Sequence, residues 1–282
     1  MTVLDVDGDR LHFIDEGSGT PVVFVHGSCG GARQWNGLAS ALRDDYRTIC
    51  IDLFGAGRSQ PWPIERQWRV EDDGRAIGAV LDWLAGPVHL VVHSGGGHFA
   101  YPVIRGRAAR IVTITLFEPI YFHLLRQDGD ALFDEPRAMS AHYREAVDAG
   151  EPEDAIRDFV DTWVGAGGWN AFPETTRTMM RSGAGRLYHE WLTPWLETPS
   201  RDDLRAQTIP ALLIKGSRTL PSMHRLCDIL ARSLPDCRYH TIDGAGHMSP
   251  FTHVSEVAPL VRRHLAGAGG QTGSEMRSDD SI

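Results

Sequence analysis

The sequence lacks any apolar run approaching the roughly 20 residues that a membrane-spanning helix needs, so no crossing segment and no membrane partner are expected. It also lacks an excess of basic charge. Lys and Arg number 28 against 37 Asp and Glu, and the net charge of -9 argues against a nucleic-acid or anionic-membrane partner, since such partners want basic patches. Cysteine is scarce: Cys29, Cys50, Cys227 and Cys237 form no CxxC pair and no Cys/His ligand spacing. No metal site is therefore expected, and the four are read as free thiols of a reducing compartment. The opening Met1-Thr2-Val3-Leu4-Asp5 has neither the basic start nor the apolar core of a signal peptide, which makes a cytoplasmic location the expectation. There are no internal repeats.

What is present is an alternation of strand-like and helix-like segments. Val3–Val6 and Leu11–Asp15 read as a hairpin around Asp7-Gly8-Asp9. Pro21–Val25 is a continuous apolar run, as expected of a strand buried on both faces. Helix Trp35–Leu42, strand Arg47–Ile51, helix Glu71–Leu84, strand Val88–Val92, helix Phe99–Ile104 and strand Ile111–Leu116 follow. This pattern signals a parallel sheet with helices on both faces. It breaks between Pro119 and about Arg205, where helices are expected over Ala138–Ala149, Glu153–Trp163, Glu174–Met180 and Arg186–Trp191. It resumes with strand Pro210–Ile214, helix Ser222–Ser233, strand Arg238–Ile242 and helix Ser255–Leu265. The reading is an α/β core of residues 1–118 and 206–266, an inserted helical cap over 119–205, and a disordered Gly/Ser/Asp-rich tail over 267–282.

The stretch Leu90-Val91-Val92-His93-Ser94-Gly95-Gly96-Gly97 carries the chemistry. A strand that ends in a serine and three glycines before a helix projects the hydroxyl from the sheet edge, so Ser94 is the candidate nucleophile. Serine needs a base, and His247 in Gly244-Ala245-Gly246-His247 follows the last strand at the same edge. His26 and His93 also lie near by sequence, His26 as a brace of its loop. The loop His26-Gly27-Ser28-Cys29-Gly30-Gly31 places the Ser28 N–H where it can converge with that of Gly95 on an oxyanion. Cys29 is read as structural. Asp52 opens a turn and is read as an acceptor of backbone N–H groups rather than as catalytic.

These motifs, with Asp52-Leu53-Phe54-Gly55-Ala56-Gly57-Arg58-Ser59, resemble the capped branch of the α/β-hydrolase superfamily in sequence and in order. The resemblance spans nearly the whole chain outside the cap and tail. It implies a mostly parallel eight-stranded sheet, a helical lid and a Ser-His-acid triad. Two departures stand out. Val92 occupies the elbow position where the family usually has Gly, which implies different local packing. Thr219 stands where the family usually places its acid, after the strand ending at Ile214. Some members carry the acid after the preceding strand, and here that position is Glu118 in Leu116-Phe117-Glu118-Pro119. Glu118 is therefore the expected acid, with a cap-hinge residue paired to a local Arg or a backbone N–H as the competing reading; Glu118→Gln is expected to lose most of the rate and Thr219→Ala is not. Asp228 and Asp243 are weaker candidates.

The cap is rich in aromatics, among them Tyr121, Phe122, Tyr188 and Trp195. Most are expected in its core, with Trp163, Trp169, Met180 and Trp191 lining the substrate cleft. The expected activity is cofactor-free hydrolysis of a carboxylic ester or lactone of a lipophilic small molecule, by a monomer or homodimer. A carbon–carbon bond hydrolase with the same triad and a slow-turnover small-molecule receptor are the alternatives.

Overall fold

The computed structural model describes residues 2–63, 65–192 and 198–267. Trp195 and the tail from 268 onward lie outside the described residues. Eight strands form one sheet in the order β1-β2-β4-β3-β5-β6-β7-β8. They are β1 (Thr2–Val6), β2 (Asp9–Glu16), β3 (Pro21–Val25), β4 (Arg47–Asp52), β5 (Val88–His93), β6 (Ile111–Phe117), β7 (Ala211–Gly216) and β8 (Cys237–Ile242). β1 and β2 are antiparallel to their neighbours, and the rest run parallel. The strand order reverses between β3 and β5, so the loops after these strands open a crevice at the carboxyl edge.

The central strands explain their own placement. β5 reads Val-His-Leu-Val-Val-His and is buried at every position, as a strand covered by helices on both faces must be. α1 (Asn36–Leu42) and α13 (Val254–Gly267) pack one face, burying Leu38, Leu42, Val257 and Val261 with Val22, Phe24 and Val91. α2 (Val70–Leu84), α3 (Gly95–Gly106) and α11 (Pro221–Ser233) cover the other, where Ile77, Val80, Val103 and Leu226 join Val23, Val25, Leu90 and Val92. α12 (Ser249–Thr252) is one short turn before α13.

Between β6 and β7 the chain leaves the sheet for α4 (His123–Gln127), α5 (Asp134–Asp148), α6 (Pro152–Val164), α7 (Gly168–Ala171), α8 (Glu174–Ser182), α9 (Ala184–Leu192) and α10 (Arg201–Ala206). The strands match the sequence reading to within one or two residues at most ends. Two differences have clear causes. α3 begins at Gly95 rather than Phe99, because the glycines after Ser94 are the helix's first turn and not a loop. α4, α7 and α10 were not expected, since helices of four to six residues are too short to show a hydrophobic period. Among the described residues no helix is long and apolar enough to cross a membrane.

Candidate active site

Three candidate side chains lie at the carboxyl edge, each following a different strand; His247 bonds Glu118 and borders one cavity together with Ser94. Ser94 follows β5 and precedes α3, with φ 56° and ψ -126°. Non-glycine residues rarely adopt a positive φ, and here the backbone is held on both sides. The Ser94 N–H donates to the Phe117 carbonyl at 2.9 Å, and the Ser94 carbonyl accepts from Gly97 N–H at 3.1 Å and Ile120 N–H at 3.2 Å. The surroundings must be small. A Cβ on Gly27 would lie 2.8 Å from the Ser94 Cβ, and one on Gly96 would lie 2.7 Å from the carbonyl oxygens of both Val25 and His26. The β3–α1 loop thus touches the first turn of α3 nearly backbone to backbone, with Ser94 at the seam. Val92 sits wholly buried within β5, opposite Val25 and Leu116, so the tight approach falls on Gly27 and Gly96 instead.

Glu118 directly follows β6, with φ 43° and no exposed surface. His247 lies in the turn between β8 and α12 and is 4% exposed. Its Nδ1 is 2.7 Å from Glu118 Oε2. That bond leaves Nε2 as the nitrogen available toward a nucleophile. The carboxylate is held from the neighbouring strand as well. Glu118 Oε1 accepts from the Gly216 N–H at 2.7 Å, and Oε2 accepts from the Thr219 hydroxyl at 2.6 Å. Thr219, which stands at the family's usual acid position, is therefore a hydrogen-bond donor to the candidate acid. Asp228 is engaged by Lys215 and Tyr239, and Asp243 by Ser217.

The imidazole of His247 is also flanked by rings. Its centroid is 4.6 Å from that of His93 and 4.2 Å from that of Trp163 on α6. His93 Nε2 lies 3.0 Å from the His247 carbonyl and, as an N–H, donates to it. Burial, and then the nearby His247, push the His93 pKa well below its ordinary value, which keeps it a neutral donor. His93 thus ties the His247 turn to the elbow. Sequence position alone showed only that it precedes Ser94.

His26 braces its loop as expected: Nδ1 bonds the Gly27 carbonyl at 2.7 Å, and Nε2 accepts from Leu53 N–H at 3.1 Å. Asp52 accepts from Ala32 N–H at 2.7 Å and Arg58 N–H at 3.0 Å, and meets His12 Nδ1 at 2.8 Å. Burial raises the Cys29 thiol pKa far above its ordinary range, the opposite of what a reactive thiol requires. Among the described residues no group of three or more His, Cys, Asp or Glu is arranged to hold a metal ion.

Two small cavities flank the elbow. One, of about 50 Å³, is lined by Ser94, His247, Ser28, Trp163, Phe159 and Met180 among others. The second, of about 20 Å³, is lined by Ser28, Gly95 and Trp191 among others. Ser28 and Gly95, the expected oxyanion donors, therefore share one cavity wall, and Ser28 borders both. Of the four residues expected to line a cleft, Trp163 and Met180 border the first cavity and Trp191 the second. Trp169 borders neither and packs beneath the Arg181 guanidinium, 5.6 Å from its ring centroid.

Residues 22–260 match the model of the alpha/beta hydrolase family. The chain belongs to that family. A non-heme chloroperoxidase of Streptomyces lividans is 31% identical over 237 residues, covering 77% of this chain and 81% of the relative. A pimeloyl-[acyl-carrier protein] methyl ester esterase of Methylococcus capsulatus is 28% identical over 271 residues, covering 89% and 97%. Among solved structures, an esterase of Thermogutta terrifontis superposes with a TM-score of 0.73 at 22% identity, covering 92% of this chain and 94% of that one. The last likeness speaks for the hydrolase fold alone.

Proposed function

We propose that this alpha/beta hydrolase cleaves carboxylic esters or lactones through a Ser94-His247-Glu118 triad. The 2.7 Å bond between His247 Nδ1 and Glu118 Oε2, at the strand edge that carries Ser94, is the observation that supports this most directly. The Ser94 hydroxyl attacks the carbonyl carbon while His247 Nε2 takes its proton. The N–H groups of Ser28 and Gly95 hold the developing oxyanion, each worth on the order of 3 kcal/mol of transition-state stabilisation. His247 then returns the proton to the leaving oxygen, and water activated by the same imidazole releases the acid and restores Ser94. Glu118 fixes the tautomer and balances the imidazolium. Residues 119–205 act as a cap that brings Trp163, Met180 and Trp191 over the reacting carbonyl. The relative named as a methyl ester esterase supports ester chemistry over the carbon–carbon alternative.

The test is Ser94→Ala assayed on p-nitrophenyl esters, with fluorophosphonate labelling of the parent protein. The variant is expected to lose turnover by roughly a thousandfold or more while keeping its fold. Undiminished hydrolysis by the variant refutes the proposal. Labelling without repeated turnover on any ester marks a receptor instead.

A further inference from the structure

Position 163 ends an apolar stripe that the sequence lays along α6. Ile156, Phe159, Val160 and Trp163 recur on one helical face, and all four are buried. Phe159 stays within the cap, its ring centroid 6.2 Å from that of Tyr143 on α5 and 5.4 Å from that of Trp191 on α9. Trp163, one turn further on, reaches out of the cap to the core. Its ring lies 4.2 Å from the His247 imidazole, at an interplanar angle of 39°. The two residues are 7% and 4% exposed, so water screens their interaction little.

The imidazole becomes a cation when it takes the Ser94 proton, and its surroundings decide how well that charge is held. Glu118, after β6, bonds the ring directly. The same carboxylate accepts from the Gly216 N–H and the Thr219 hydroxyl, so its negative charge is shared among three donors. His93, at the end of β5, is kept neutral by burial and turns its Nε2 to the His247 carbonyl rather than to the ring. Cys29, from the loop after β3, lines the same cavity as a thiol that burial keeps protonated. Trp163 presents an indole, the aromatic face that attracts a cation best. A neutral imidazole gains little from that face, and an imidazolium gains much more. The contact is therefore stronger after proton transfer than before it, which is the condition for raising the rate.

We propose that the cap residue Trp163 is a positioning residue for the base, its indole face stabilising the His247 imidazolium that forms as Ser94 attacks. The inference rests on the triad reading above. A tryptophan that only walls the cleft acts on substrates according to their shape. One that holds the imidazolium acts on every ester alike, and on the pH at which the base titrates. It also makes base strength depend on the seating of α6 over the sheet edge.

The experiment follows kcat/KM against pH for p-nitrophenyl acetate and p-nitrophenyl butyrate, whose acid limb reports the base of the free enzyme. Trp163→Phe and Trp163→Leu carry side chains of similar size, and the first alone keeps an aromatic face. Relative to Trp163→Phe, the limb of Trp163→Leu is expected to titrate about one unit lower, with both esters slowed up to roughly tenfold. An electron-poor fluorinated tryptophan at position 163 preserves the indole shape. It is expected to move the limb the same way, and it serves should the leucine variant not fold. A limb at the same or higher pH in either folded protein overturns the proposal and leaves Trp163 a wall of the cleft, with the triad standing. No turnover of either ester by the parent protein, and no fluorophosphonate labelling of Ser94, overturns both readings.

Discussion

At the scale of single residues, the proposed triad acid is defined by the company it keeps. Glu118 accepts three hydrogen bonds, from His247, Gly216 and Thr219, and two of these converge on Oε2. The threonine occupies the customary place of the acid but serves as a donor to the acid from the next strand. Thr219→Val removes that donor and frees the carboxylate to rotate from Nδ1. It is expected to lower kcat/KM by about tenfold, since a charge-assisted bond is worth roughly 1.5 to 3 kcal/mol. Thr219→Ser should retain most activity. Glu118→Gln keeps the size but removes the countercharge, and a loss of about a thousandfold or more is expected. With Thr219 2.6 Å from the same oxygen that meets His247, Thr219→Asp in the Glu118→Gln background should restore part of the rate. No recovery there, with the double variant folded, would show that strand β6 alone can supply the acid.

At the scale of elements, α9 is pinned to the core by a buried charge. Arg186 reaches from α9 to Asp73 on α2 and to the Phe54 carbonyl after β4. Arg186→Met would leave Asp73 and Glu190 buried without their cation, and a loss of about 3 to 5 kcal/mol is expected in denaturant unfolding. A change below about 1 kcal/mol would mean that α9 is held by its apolar contacts alone. This tie also shows what can be read from the chain. Strands such as Val88–His93 announce themselves through continuous apolar runs, and Ser94, His247 and Glu118 follow from their places at strand ends. The Arg186–Asp73 pair spans 113 positions and leaves no periodic trace. Nor do the bond from His93 to the His247 carbonyl or the packing of Trp163 on His247, since both depend on how separate turns come together. Thr219 is intermediate: its position was visible, but a threonine's role as donor depends on a partner 101 residues away.

At the scale of the whole molecule, the number of buried neutral imidazoles sets the response to acid. His26, His89, His93, His98 and His264 are all nearly inaccessible, and burial is the largest cause of a lowered pKa in each. His89 and His98 fall to about 4 from the ordinary 6.5. Below pH 6.5 the unfolded chain takes up protons at these positions that the native state refuses, so this contribution to stability is complete above that pH and is lost as pH falls toward the folded values. Asp73 works the other way. Burial, partly offset by Arg186, raises its pKa from 3.8 to about 6, so its native form binds the extra proton and its contribution declines as pH rises through that value. With five such rings opposed by one carboxyl, the net is a loss of stability on acidification between about pH 6.5 and about pH 5. Ordinary exposed carboxylates titrate mostly below that window, which isolates the histidine effect. The measurement is the unfolding midpoint in denaturant across that range at fixed ionic strength. A steady fall is expected as the pH is lowered, and a flat or rising midpoint would mean that the native state accepts protons at these rings and that their burial is less complete than the packing indicates.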